Sequence, residues 1–190
     1  FEHFRALVPT GRRRGLNTMS GTIEIAGRRY PWLMGDIRHW MSTTNSKSVA
    51  TAMMESSYLL VELPWKHAPA LRIRATTQGD RYREAIGFPD INFESVEFSR
   101  KFSVRGPNSR FASDLITPPM MEFLMYADPP EIEINRGMMC LTREWSLWLP
   151  SEFLHTLAWA ERLFALWPEH VTRALDDTRA QRDAAGGRHA

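Results

Sequence analysis

The stretch from Phe93 to Tyr126, FESVEFSRKFSVRGPNSRFASDLITPPMMEFLMY, constrains the fold more than any other part of the chain. In KFSVRG, Phe102 and Val104 fall on one side of an extended backbone, while Lys101, Ser103 and Arg105 fall on the other. That alternation predicts a half-buried strand, and Phe98 extends the buried row by spacing. Gly106-Pro107-Asn108 cannot continue a ladder, because Pro107 has no N–H and Asn108 tolerates turn geometry. Ser109 is the expected N-cap of a helix carrying Phe111, Ala112, Leu115 and Ile116. Thr117-Pro118-Pro119 breaks that helix, and Pro118 suits the first position of the next one. Met121, Leu124 and Met125 follow at helical spacing. Two short helices hinged at a Thr-Pro break can lay one apolar stripe on a sheet.

FESVEFSRKFSV followed by SRFASDLITPPMMEFLM resembles an uncharacterised bacterial family, a domain of unknown function usually found behind membrane-spanning segments. The matching positions are Phe93, Glu94, Phe98, Phe102, Val104, Ala112, Leu115, Thr117, Pro118, Met120, Met121 and Leu124. The likeness extends more loosely over Ser20 to Val61 and Pro130 to Leu147. Its motif consists of core and hinge residues, so it implies a fold and an address, with no catalytic residues to carry over. The polar insertion Thr43 to Ser48 departs from the pattern.

A chain of 190 residues suits one domain with tails. The net charge of +2 sets up no global field for nucleic acid. A single cysteine, Cys140, excludes an internal disulfide and fits a buried small hydrophobe. No run reaches the ~18 apolar residues of a membrane helix. The chain begins at Phe1 rather than Met, so a membrane segment upstream is an open expectation.

The expected division is a basic linker or juxtamembrane segment over 1–19, a globular domain over 20–175 and a disordered tail over 176–190. Arg12, Arg13 and Arg14 form a basic block that can meet anionic lipid headgroups, each worth about 1 kcal/mol near such a surface. Ser20 to Met41 reads as a hairpin turning at Ala26-Gly27-Arg28. Its second arm, Tyr30, Trp32, Met34, then Ile37, His39 and Met41, slips in parity at Gly35-Asp36, which suggests a bulge there. Ser42 to Ser48 reads as a loop. YLLVEL, apolar on both faces, marks a central strand. Leu71, Ile73 and Ala75 belong to another, with Arg72 and Arg74 outside. A loop over Thr76 to Asp90 holds a short helical turn, RYREAI. Ile132 and Ile134, the turn Asn135-Arg136-Gly137 and Met138 to Thr142 form a hairpin, with Trp145 to Leu149 continuing its return. An apolar helix starts at Pro150 or Ser151.

No G-x-S-x-G elbow, Gly-rich phosphate loop or H-E-x-x-H occurs. The six histidines are scattered, and Asp36 and His39, three apart on a strand, face opposite ways. His155 shares a helix side with Ser151, a capping arrangement more than a dyad. A hydrolase or metal enzyme would need a polar pocket with a perturbed acid or histidine, which the sequence does not offer. Arg72, Arg74, Arg100, Lys101 and Arg105 can form a basic wet face balanced by Glu62, Glu94 and Glu97. It lacks the aromatic interleaving of single-strand binders, so no nucleic acid is expected. The seven tryptophans are many. Trp145 and Trp148, three apart on an expected strand, place one indole outside, and Trp159 and Trp167 with Phe164 offer a strip for a second copy.

These readings combine into an α+β fold: a bent antiparallel sheet of about six or seven strands, with two hinged mid-chain helices and a C-terminal helix packed on it. A half-closed barrel with a helical cap shares that outline. The functional expectation is a non-catalytic, cofactor-free binding module, cytoplasmic and membrane-associated through segments outside this chain. Its partners would be an anionic lipid surface or another protein. The alternative is a structural domain that forms homo-oligomers.

Overall fold

The computed structural model describes Phe4 and residues 12–45, 48–76, 90–143 and 146–186. Among the described residues, seven strands form one open antiparallel sheet: β1 (Arg12–Ile25), β2 (Arg28–Asn45), β3 (Ser48–Glu62), β4 (Leu71–Ala75), β5 (Phe102–Arg105), β6 (Glu131–Asn135) and β7 (Met138–Thr142). Their order is β1-β2-β3-β7-β6-β4-β5. The helices among the described residues are α1 (Val96–Lys101), α2 (Ser109–Leu115), α3 (Pro118–Tyr126), α4 (Pro150–Ala165) and α5 (Glu169–Gly186); the expected helical turn RYREAI lies outside those residues. This is the expected α+β class, and the sheet does not close into a barrel.

Two tight turns set the registers. Ala26 and Gly27 take φ of 49° and 73°, and Arg136 and Gly137 repeat those values. Positive φ at both central residues is the two-residue hairpin turn whose twist matches the strands it joins. The β2–β3 ladder runs unbroken from Trp32↔Val61 to Asn45↔Ser48. Residues 42–45, expected in a loop, therefore continue the strand, and residues 46–47 lie outside the described part. The expected linker is strand from Arg12 onward, because Arg12 to Leu16 pair with Trp40 to Asp36.

The parity change at Gly35 has a different origin from the one expected. β2 itself keeps its register against β3, and the irregularity lies opposite, in β1, between Leu16 and Met19. Asn17, at φ 50°, bulges over Gly35. A Cβ on Gly35 would sit 2.9 Å from the Leu16 carbonyl oxygen, so only hydrogen fits. What changes along β2 is which face is covered. Tyr30 and Met34 enter the main core under the helices, whereas Ile37 points the other way, into a second cluster with Tyr58, Leu60, Cys140 and Phe4. β3 is thus buried on both faces, with Leu59 and Val61 against the helices and Tyr58 and Leu60 behind.

The middle of the chain departs from the expected strand. Val96–Lys101 is helical because Ser95 caps it, its hydroxyl accepting from the Phe98 N–H at 3.2 Å. Glu97 pairs with Lys101 one turn on, at 3.0 Å. Phe98 packs on Phe102, their centroids 5.0 Å apart, so the spacing of four is helical and the strand begins only at Phe102. Asn108, rather than Ser109, caps α2, accepting from the Phe111 N–H at 2.9 Å. Pro118 takes the first position of α3, as expected, and Thr117 stands at its N-cap without a side-chain bond. Phe102 and Leu124 are both buried in the core.

Residues 146–149 form no strand. α4 ends at Ala165, and Pro168 separates it from α5. The tail expected to be disordered from Asp176 is helical to Gly186. Its first two turns bury Val171 and Leu175, and Asp176 anchors it: the Trp65 indole donates to its carboxylate at 2.8 Å and Arg28 at 2.7 Å.

Candidate functional site

The start of α4 is built from an alternation. In Leu147-Trp148-Leu149 the middle side chain turns inward and its neighbours outward. Trp148 meets Phe153 edge to face, with centroids 5.2 Å apart, and both are buried. Its backbone N–H donates to the Ser57 hydroxyl at 2.9 Å, and Ser57 in turn donates to Asp36 at 2.5 Å. Asn17, from the β1 bulge, donates to the other Asp36 oxygen at 2.8 Å. The Ser57 N–H also donates to the Ser146 carbonyl at 2.9 Å. Glu152 accepts from the Leu149 N–H at 2.6 Å and closes the first turn of α4.

This scaffold displays leucines. Leu147, Leu149 and Leu154 are 51%, 66% and 69% exposed, and Met19 on β1, a strand that α4 touches, is 51% exposed. Large apolar side chains are thus held outward by a hydrogen-bonded frame. Arg14 is exposed on the strand face that also carries Asp36, two residues from Leu16, which pairs with Asp36. That is about 7 Å along the strand. Its cross-strand neighbour Arg38 is already paired with Glu55 at 2.5 Å. The side chains of Arg12 and Arg13 lie outside the described part, as does Trp145.

The other expected interface residues are internal. Trp148, Trp159 and Trp167 are all buried. The Trp159 indole donates to the Ala127 carbonyl at 3.1 Å, Trp167 stacks on Trp65 at 5.6 Å, and Phe164 stacks on Tyr30 at 4.5 Å. The strip Trp159-Phe164-Trp167 is turned inward, onto α3, the sheet and the β3–β4 connector in turn, so it is not free for a second copy. The signal missed in the sequence was the interleaved leucine set, whose members face away from those aromatics.

Ser57 is fully buried, and its hydroxyl is committed both as donor and as acceptor, so it pins the segment rather than reacting. Asp36 and His39 lie on opposite faces of β2. His155 is exposed on α4. Among the described residues, no three of the His, Cys, Asp and Glu side chains gather as a metal site.

Of the expected basic face, Arg72, Arg74 and Arg105 lie on the sheet side turned from the helices, whereas Arg100 and Lys101 belong to the last turn of α1. Arg72 donates to Glu131 at 2.5 Å, and Arg105 donates to Asp90 through two nitrogens at 2.9 and 3.0 Å. Ser103 adds a bond to Asp90 at 2.6 Å. The Arg105 bonds hold the Asp90 carboxyl below its usual range, whereas burial pushes Glu131 up despite Arg72. Of the acids expected there, Glu97 instead pairs along α1 with Lys101.

No protein-family model, curated protein or solved structure matches the chain. No described helix is long and apolar enough to cross a membrane, which says nothing of strands.

Proposed function

We propose that this domain is a non-catalytic module that docks on an anionic membrane surface through the start of α4. The exposed set Leu147, Leu149 and Leu154, fixed outward by the inward anchors Trp148 and Phe153, is the observation that carries this reading. Burying a whole leucine is worth about 1.5–3 kcal/mol, so three partly exposed ones supply on the order of 3–5 kcal/mol. That resembles one short acyl chain, which holds a protein only marginally. Arg14, with Arg12 and Arg13 beside it in β1, adds about 1 kcal/mol each near the anionic cytoplasmic leaflet. A membrane span before Phe1, as the family resemblance implies, would supply the main anchor and leave this contact to set orientation.

The test is co-sedimentation with vesicles of phosphatidylcholine, with and without phosphatidylserine. Binding should require the anionic lipid, weaken with salt, and fall on the order of tenfold or more in the triple variant Leu147→Ser, Leu149→Ser, Leu154→Ser. Equal binding by that variant removes the proposal.

A second reading rests on β3. β7 covers it from Tyr58 to Glu62, and among the described residues no strand pairs with Ser48–Ser56 on that side. Such an edge suits strand pairing with a second copy of the chain, the homo-oligomer alternative. Met53, 54% exposed, is the place for a charge: Met53→Lys should shift a dimer to monomer in sedimentation. A monomer at every concentration before mutation rejects this reading.

A further inference from the structure

The connector between β3 and β4 faces the last turns of α5 across a cleft of about 350 Å3. Pro64, Lys66 and His67 form one wall, and Arg179, Arg182 and Asp183 the other. Apart from Pro64, every lining side chain is charged or polar.

The connector wall is held in place. Trp65, between Pro64 and Lys66, is fully buried, bonded to Asp176 and stacked on Trp167. The guanidinium of Arg28 holds the same carboxylate and lies 5.6 Å from the Trp65 ring centre. The His67 Nε2 lies 3.0 Å from the Leu175 carbonyl oxygen. Behind the connector the β6–β7 turn presses close: a Cβ on Gly137 would stand 2.5 Å from the Lys66 Cα. The connector can therefore neither lift from α5 nor retreat from it.

The charges on these walls are underused. Arg179 reaches the Pro64 carbonyl at 3.4 Å and Asp183 at 3.8 Å, contacts at or past the weak limit for a hydrogen bond. Lys66 and Arg182 have no ion-pair partner among the described residues. α5 buries no large apolar side chain after Leu175, and from Arg179 to Ala184 every residue is exposed. The helix thus carries two arginines out beyond the core, to the mouth of a preorganised cleft, with three cations set against one carboxylate.

The geometry points to a binding site for a phosphate ester in this cleft, with Arg179 and Arg182 supplying guanidinium forks and Lys66 a point charge from the opposite wall. Guanidinium matches phosphate oxygens two at a time, and the cleft has the size of a small-ligand site with a charged or polar side chain at every lining position but Pro64. The cleft lies beyond the Glu62 end of β3, whereas the leucines lie by Ser57, earlier on the same strand, and the two sites share no residue. A soluble phosphate and a lipid headgroup share the chemistry.

The test uses calorimetric titration of the chain with inorganic pyrophosphate and with adenosine monophosphate, and separately vesicle binding with phosphatidylinositol phosphate in phosphatidylcholine. The site should take at least one of these probes with one-to-one stoichiometry. Arg179→Gln with Arg182→Gln should weaken it tenfold or more at unchanged melting temperature. Arg110→Gln, which removes a positive charge from α2, should leave it unchanged. Binding of the soluble probes assigns a free phosphate, and binding of the vesicles alone, lost in the same double variant, assigns a headgroup. No binding of any probe at millimolar concentration overturns the proposal, as does equal loss in Arg110→Gln.

Discussion

The Trp65 indole donates to the Asp176 carboxylate at 2.8 Å across 111 positions of chain, and with it α5 is tied to the connector that leaves β3. Burial pushes that carboxyl up, but the bonds from Trp65 and Arg28 outweigh it and hold it below the ordinary aspartate value of 3.8. A carboxylate held low contributes stability above its unfolded pKa and loses it as pH falls through the folded one. Asp176 is 43% exposed, so solvent screening limits its share to about 1 kcal/mol. Asp176→Asn should lower the urea midpoint at pH 7, and the gap to the original chain should close as pH drops below 3.8. A gap independent of pH would show that the charge of Asp176 contributes nothing.

Cys140 is fully buried between Leu60 and Glu133, its ladder partners on β3 and β6. Burial, with Glu133 and Glu131 nearby, pushes its thiol well above the ordinary value of 9.0. Since the thiolate is the reactive form, iodoacetamide at pH 8 should label the native chain only through opening. The labelling rate should rise with urea in step with unfolding. Complete labelling within minutes in buffer alone would mean that the back of the sheet is open.

Gly35→Ala should cost about 1–3 kcal/mol, because the added methyl meets the carbonyls of Leu16 and Asn17 at 2.9 and 3.1 Å rather than a side chain that can move aside. Deleting Asn17 together with that change should recover part of the loss by making β1 regular, because two β1 residues there face the single Gly35. If Gly35→Ala is neutral in denaturant titration, the bulge does not form as described.

At the start of α4, inside and outside should separate cleanly. Trp148→Ala empties a buried aromatic site and should cost about 3–5 kcal/mol. Leu149→Ser, its exposed neighbour, should stay within about 0.5 kcal/mol in thermal melts while weakening vesicle binding. Equal destabilisation by both would place Leu149 in the core and remove it from any contact surface.

The sequence carried the sheet where a strand has one wet face and a two-residue turn, as at Ile132-Ile134 and Arg136-Gly137. It misled where burial is two-sided. β2 looked as though it slipped, because Met34 and Ile37 are both buried, on opposite faces of one regular strand. It misled again at Phe98 and Phe102, where a spacing of four serves a helix turn and even-numbered alternation equally well, and a single serine decided the matter. The part of α5 from Asp176 onward looked disordered because its composition is small and charged. The contacts that hold it, from Trp65 and Arg28, come from segments far away in sequence. At the candidate site the aromatics attracted attention by their number, but packing drew Trp148, Trp159 and Trp167 inward and left the less conspicuous leucines outside.

The pairing of β3 with β7 has a consequence for synthesis. A chain leaving the ribosome releases its first three strands as a finished meander, yet Tyr58 has to wait for Thr142 and Leu60 for Cys140 before that margin is sealed. Throughout that delay the nascent protein offers a sticky ribbon to its neighbours on the same messenger. Slow elongation between the codons of Glu62 and Met138 should therefore raise misassembly, and a chaperone that shields strand margins should relieve it.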